Sequence, residues 1–190
     1  MKNLLSLPLI LLVAVMLLLP VAASAQNAYN HSDKVISAGV GLGPFYGVFG
    51  STDIPPIFVA FETGLPAQGL EKVTIGGIAG YSGSSQDFPP EGKWKYTYIF
   101  LGVTGNYHFI EKNKNFDAYG GIALGYDIVS ASATYNSGYD ANRYNFSAGA
   151  SYFTFDFHVG GGYYFSPKLA AMAELGYGFG IFRVGLSYKL

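Results

Sequence analysis

Eight stretches of this chain alternate apolar residues with others at a period of two, and nearly all in-strand charges keep to the less greasy face. A β-strand turns successive side chains to opposite faces, so such alternation assigns each residue to one side of a sheet. From Leu169 to Tyr177, one face carries Leu169, Ala171, Ala173, Leu175 and Tyr177, the other Ala170, Met172, Glu174 and Gly176. The final stretch sets Phe182, Val184, Leu186, Tyr188 and Leu190 against Arg183, Gly185, Ser187 and Lys189. A barrel in water keeps its charges outside and its apolar side chains inside. Here the sorting is reversed, as a sheet closed on itself within hydrocarbon requires.

The other six stretches agree. Lys34 to Gly43 puts Ile36, Ala38, Val40 and Leu42 on one face; Pro56 to Leu65 puts Ile57, Val59, Phe61, Thr63 and Leu65 there, with Phe58, Ala60 and Glu62 opposite. A third strand from Val73 sends Ile75, Ala79 and Tyr81 out and Thr74, Gly76, Gly80 and Ser82 in. Trp94 to Phe109 faces Ile99, Leu101, Val103, Tyr107 and Phe109 outward, and Tyr98, Phe100, Thr104, Asn106 and His108 inward. Asp117 to Val129 and Ser151 to Phe165 continue the scheme, with Tyr119, Asp127, Asp156 and His158 on the inner side. Among the outward residues named, Thr63 is the only polar one that is not aromatic. The connections after the second, fourth and sixth strands are short. Phe45–Pro55 and Ser130–Ala150 are long and rich in Ser, Gly, Asn, Asp and Tyr, as extracellular loops are. The expected fold is therefore all-β: an eight-stranded antiparallel up-and-down transmembrane β-barrel.

Composition narrows the function classes. Only 12% of residues are charged, about half the share usual for a soluble domain, while aromatics reach 17%. A formal charge of −1 gives no reason to expect nucleic acid as a partner. Lys2, the apolar run Leu9 to Leu19 and Ala23-Ser24-Ala25 have the order of a secretory signal, with cleavage expected between Ala25 and Gln26. Residues 1–25 are thus read as a signal peptide and 26–190 as one barrel domain. With no cysteine, neither a lipoprotein anchor nor a disulfide scaffold is available.

An eight-stranded barrel leaves an interior that side chains can fill, and Phe58, Tyr98, Phe100, Tyr119, Tyr164 and Met172 face it. Glu62, Asp127, Asp156, His158, Glu174 and Arg183 form the candidate polar network of the lumen, with Lys72 a further cation for its acids. If Gly178-Phe179 is a two-residue turn, Glu174 stands opposite Arg183 and the two pair. No ligand spacing for a metal, and no cofactor motif, is visible among these residues. His31-Ser32-Asp33 holds the residue types of a triad, but three neighbours cannot converge as nucleophile, base and orienter. Trp94, Tyr96, Tyr135, Tyr139 and Tyr144 fall in loops or at their margins, where Tyr-, Ser- and Gly-rich segments make adaptable contact surfaces.

With these features the chain resembles the eight-stranded outer-membrane barrels of the OmpA transmembrane-domain and OmpX type, in particular the small outer membrane protein beta-barrel domain proteins. The closing segment carries the likeness most specifically: Arg183, Gly185, Tyr188 and Leu190 fit that family's assembly signal, although the family usually ends in Phe. The resemblance implies an outer membrane of a Gram-negative bacterium, contact with its lipid and lipopolysaccharide, and insertion by the barrel-assembly machinery. It also implies a monomer that serves structural or cell-surface roles, with an extracellular partner reached through the loops. Two alternatives stand beside it. A narrow solute channel is one; a lipid A-modifying enzyme is the other, although neither His108 nor His158 has the serine two positions later that the deacylase type would need.

Overall fold

A computed structural model of the chain describes residues 28–42, 51–89, 92–110, 113–135 and 147–190. The signal segment with Ala25 and Gln26, and Gly43, Phe45, Glu111, Tyr139 and Tyr144, lie outside the described residues. Eight strands follow in chain order: β1 (Lys34–Leu42), β2 (Ser51–Gly64), β3 (Val73–Phe88), β4 (Gly92–His108), β5 (Phe116–Tyr135), β6 (Ser147–Tyr164), β7 (Leu169–Tyr177) and β8 (Phe182–Lys189). Each pairs antiparallel with its neighbour in sequence, and β8 pairs with β1 from Leu42↔Phe182 to Val35↔Lys189, which closes the barrel. Closure leaves no open sheet edge, the condition for strands to stand in hydrocarbon. The expected fold class is the one observed.

Exposure follows the inverted pattern. Phe153 is 68% exposed, Val103 64% and Tyr177 61%, whereas Arg183 is 2% and Asp156 1% exposed. The inner face holds one cluster of Phe58, Tyr98, Phe100, Ala123, Met172 and Phe179, and a smaller one of Ala28, Tyr164 and Ala170.

Short side chains shape three connections. Asn113 Oδ1 accepts from the amides of Asn115 and Phe116 at 2.9 Å each, turning the chain into β5. Ser166 Oγ accepts from Leu169 N at 3.0 Å ahead of β7. Between β2 and β3, Gly69 N donates to Glu71 Oε1 at 3.0 Å, and this bond holds the Glu71 carboxyl below its ordinary range.

The strands run further outward than the apolar alternation indicated. β2 begins at Ser51 rather than Pro56, β3 continues to Phe88, β4 opens at Gly92, β5 extends to Tyr135 and β6 starts at Ser147. Trp94, Tyr96 and Tyr135 are accordingly strand residues, not loop residues. The ladder persists in full from Ser82↔Tyr98 to Phe88↔Gly92 and from Tyr98↔Val129 to Gly92↔Tyr135. In these extensions the outward face carries Lys93, Lys95, Ser130, Ser132 and Thr134, so no apolar stripe marks them. β3 to β6 thus rise as a wall past the level at which β7 ends, at Tyr177, and β8 begins, at Phe182.

Candidate functional site

From the end where β2 meets β3 to the top of the wall, the lumen is filled in four tiers. The lowest is a strap formed by the segment before β1. Tyr29 stacks on His108 with ring centroids 3.9 Å apart and planes inclined by 15°. Its hydroxyl donates to the Glu71 carbonyl, and Ala28 N donates to the Asn113 carbonyl at 2.8 Å. Beside the strap, Lys189 Nζ lies 2.7 Å from Asp33 Oδ2 and 4.5 Å from the centroid of the Tyr164 ring.

Above it runs a connected polar network. Asp117 Oδ2 is 2.9 Å from His108 Nδ1, and His108 Nε2 is 3.3 Å from Thr74 Oγ1. Thr74 Oγ1 and Asn106 Nδ2 both donate to Glu62 Oε2 at 2.8 Å. Asn106 Oδ1 meets His158 Nε2 at 2.7 Å, and His158 Nδ1 lies 2.8 Å from Asp156 Oδ1. Asp156 then receives Arg183 through Nη2 at 3.0 Å and Nη1 at 3.3 Å. Arg183 Nε is 2.7 Å from Glu174 Oε2, and Tyr119 donates its hydroxyl to Glu174 Oε1 at 2.7 Å. Glu174 and Arg183 are directly opposite in the β7–β8 ladder, the register a tight turn requires. Every strand from β2 to β8 contributes to this network.

Of the six lumen residues singled out in the sequence, Glu62, Asp156, His158, Glu174 and Arg183 come together here. Asp127 stands apart, one tier higher. Sequence reasoning missed the Asp117–His108 pair, which sits on the β4–β5 diagonal beside His108↔Tyr119, because the register of that turn was never worked out as it was for Gly178-Phe179.

Asp117, His108 and Thr74 follow the order carboxylate, imidazole, hydroxyl of a nucleophilic triad. Their surroundings do not suit that chemistry. The Thr74 proton is donated to Glu62, Tyr29 covers the imidazole face, and the adjoining cavity is about 40 Å³, room for only a few waters. A second cavity of about 20 Å³ lies beside Glu174 and Arg183. Among the described residues no three His, Asp or Glu side chains gather as a metal-ligating group.

The third tier is an aromatic plug centred on Phe179, which the sequence reading left in the turn. Gly178 (φ 130°) and Gly180 (φ 80°) take conformations that L side chains rarely adopt, and this kink drops Phe179 into the lumen. Its ring packs edge-on to Phe58 at 6.3 Å and tilted to Phe100 at 5.8 Å. Its amide donates to Asp156 Oδ2 at 2.9 Å. Gly80 supplies the notch: a Cβ there would lie 2.1 Å from the Phe179 ring. The Gly-Phe-Gly triplet was the signal available, an aromatic flanked by two residues free to turn it inward.

The fourth tier is the inner face of the raised wall. β4 brings Trp94, Tyr96, Tyr98 and Phe100 to that face in succession, and Phe88, Tyr135 and Tyr152 join them from β3, β5 and β6. Phe88 lies 5.8 Å from Trp94 and 5.7 Å from Tyr135 between centroids. At the base of this surface, directly opposite Phe100 and Tyr152, is Asp127.

No family model and no curated protein matches the chain. Among solved structures it is similar to Ail, the attachment invasion locus protein of Yersinia pestis, in complex with the heparin analogue sucrose octasulfate. Identity there is 12%, with 84% of this chain and 97% of that chain covered and a TM-score of 0.49. It is also similar to the N-terminal β-barrel domain of Pseudomonas aeruginosa OprF, with 14% identity, 85% and 100% coverage and a TM-score of 0.47. The barrel assignment rests on the strand pairing of this chain itself.

Proposed function

We propose that this chain is an integral, monomeric outer-membrane β-barrel of a Gram-negative bacterium, whose raised wall meets extracellular partners and whose lumen is closed to solutes. Residues 1–25 serve as its cleaved export signal, with Gln26 the first residue of the mature chain. Its surroundings are outer-membrane lipid and lipopolysaccharide. The observation that carries this reading is the exposure inversion: rows of Phe, Leu, Val and Tyr stand outermost around the barrel while Arg183, Asp156 and Glu174 are buried within it. In water such a surface would far exceed the apolar patches that soluble monomers expose.

The four tiers support a structural and surface-interaction role over the alternatives. A channel would have to pass the Phe58–Phe100–Phe179 plug and a polar tier whose cavities hold only a few waters. A lipid-modifying enzyme needs its reacting groups toward the bilayer, whereas His108 and His158 both face the lumen. Arg183, Gly185, Tyr188 and Leu190 act as the assembly signal read by the barrel-assembly machinery. The β8–β1 seam supports this: Gly185 lies against Gly39, where a side chain on either would strike backbone atoms.

The test is gel mobility of the protein taken from outer-membrane fractions, with and without boiling. Unboiled folded barrel should migrate apart from boiled chain, and in planar bilayers it should conduct no ions. Identical migration of the two samples, or recovery only in the soluble fraction, would overturn the proposal.

A further inference from the structure

We propose that the inner face of the raised wall, above the plug, binds an organic ammonium group, held by the Asp127 carboxylate against the rings of Tyr98 and Tyr152. The inference rests on reading the raised wall as an extracellular surface, and it supplies the chemistry of what that surface meets. Asp127 is 1% exposed, and its Oδ1 is buried with no hydrogen-bond partner among the described residues. Native proteins leave few polar atoms in that condition, and each calls for an explanation, an absent ion among them. Among the described residues the charged groups of the lumen supply none. Arg183 is taken by Glu174 and Asp156, His158 by Asp156, His108 by Asp117 and Lys189 by Asp33, all below the plug. Lys93 and Lys95 belong to β4 but alternate with Trp94 and Tyr96, so they occupy the opposite face of the wall.

The flanks of Asp127 decide which cation fits. In the ladders its direct partners are Phe100 and Tyr152, and Tyr98 is one diagonal away. Directly paired side chains stand about 5 Å apart and diagonal ones about 7 Å, so one carboxylate is bordered on both sides by aromatic residues. A calcium ion takes six or more oxygen ligands, whereas among the described residues this stretch of the wall presents a single acid among rings. An aromatic surround with one buried negative charge suits a soft, poorly hydrated cation: a quaternary ammonium, or a protonated amine on a carbon stem.

The experiment uses the folded barrel in an uncharged sugar-headgroup detergent, because choline-headgroup detergents would fill the site. Choline chloride is titrated by calorimetry, with sodium and calcium chloride as controls at equal ionic strength. The expected result is saturable choline binding that neither inorganic salt reproduces, weakened about tenfold or more in Asp127→Asn. Competition by phosphocholine then separates a lipid-headgroup source from a free amine. If Asp127→Asn does not fold, Tyr152→Ala at the more exposed rim gives the same reading. No saturable choline binding, equal binding of calcium, or undiminished binding by a folded Asp127→Asn barrel overturns the proposal. Any of these in a heat-modifiable, surface-labelled protein sinks the ammonium site alone. Loss of heat-modifiable mobility sinks the membrane reading instead.

Discussion

Replacing Arg183 with methionine tests the polar tier most directly. The guanidinium makes three contacts, at 2.7 Å to Glu174 and at 3.0 and 3.3 Å to Asp156, and its side chain is 2% exposed. The two to Asp156 are hydrogen bonds to a charged group, which contribute about 1.5–3 kcal/mol each in net terms, and the one to Glu174 is an ion pair. Removing one partner of a buried pair typically costs about 3–5 kcal/mol, because the other charge stays behind. Neither acid is left bare: Asp156 keeps His158 and the Phe179 amide, and Glu174 keeps the Tyr119 hydroxyl. Arg183→Met should therefore lose about 3 kcal/mol, the lower end of that range. Adding Glu174→Gln removes the stranded charge while leaving Tyr119 an oxygen to donate to, so the double variant should regain about 1 kcal/mol over the single one. Urea unfolding of the barrel in detergent or vesicles, followed by the folded band on unboiled gels, measures both. A change below about 0.5 kcal/mol in Arg183→Met, or strictly additive effects in the pair, would refute the network as a source of stability.

Gly80→Ala should destabilise by about 1–3 kcal/mol, since its Cβ would meet the Phe179 ring at 2.1 Å, and Phe179→Ala should suppress most of that loss. Equal effects of Gly80→Ala with and without the ring would remove the notch from the account. Leu101→Arg, on a side chain 50% exposed on the outer face, should cost about 2–4 kcal/mol in vesicles if that face meets hydrocarbon, whereas Lys95→Arg on the wall should cost almost nothing. Tyr29→Ala should loosen the strap and speed hydrogen exchange at the β4 and β5 ends around His108 and Asp117, with little change near Phe100. Uniform exchange along both strands would show that the strap seals nothing.

The barrel was legible because lipid and lumen impose opposite demands on alternate residues, so every membrane-spanning strand declares its two faces. β7 was readable to the residue, from Leu169 to Tyr177. Glu174 and Arg183 were readable as partners because a tight turn fixes which residues face each other. Where the demand from lipid ends, so does the signal. From Gly83 to Asp87 and from Ser130 to Thr134 both faces carry small or polar residues, and these strand extensions gave no apolar alternation to read. The bonds from Asn106 to His158 and Glu62 each reach over an intervening strand and depend on how tightly the sheet curls, a relation that no local pattern encodes.

Asp156 and Arg183 belong to β6 and β8, which are not ladder neighbours, so their bond passes over β7 and forms only where the sheet curls strongly. A half-zipped intermediate too flat for that bond would leave Arg183 with Glu174 alone, its hairpin partner, and Asp156 without the guanidinium. Such species carry the desolvation penalty of the ions with only part of their mutual attraction. Assembly is thereby forced toward an all-or-none step, and time-resolved gels of membrane insertion should show open and shut bands with nothing lasting between them.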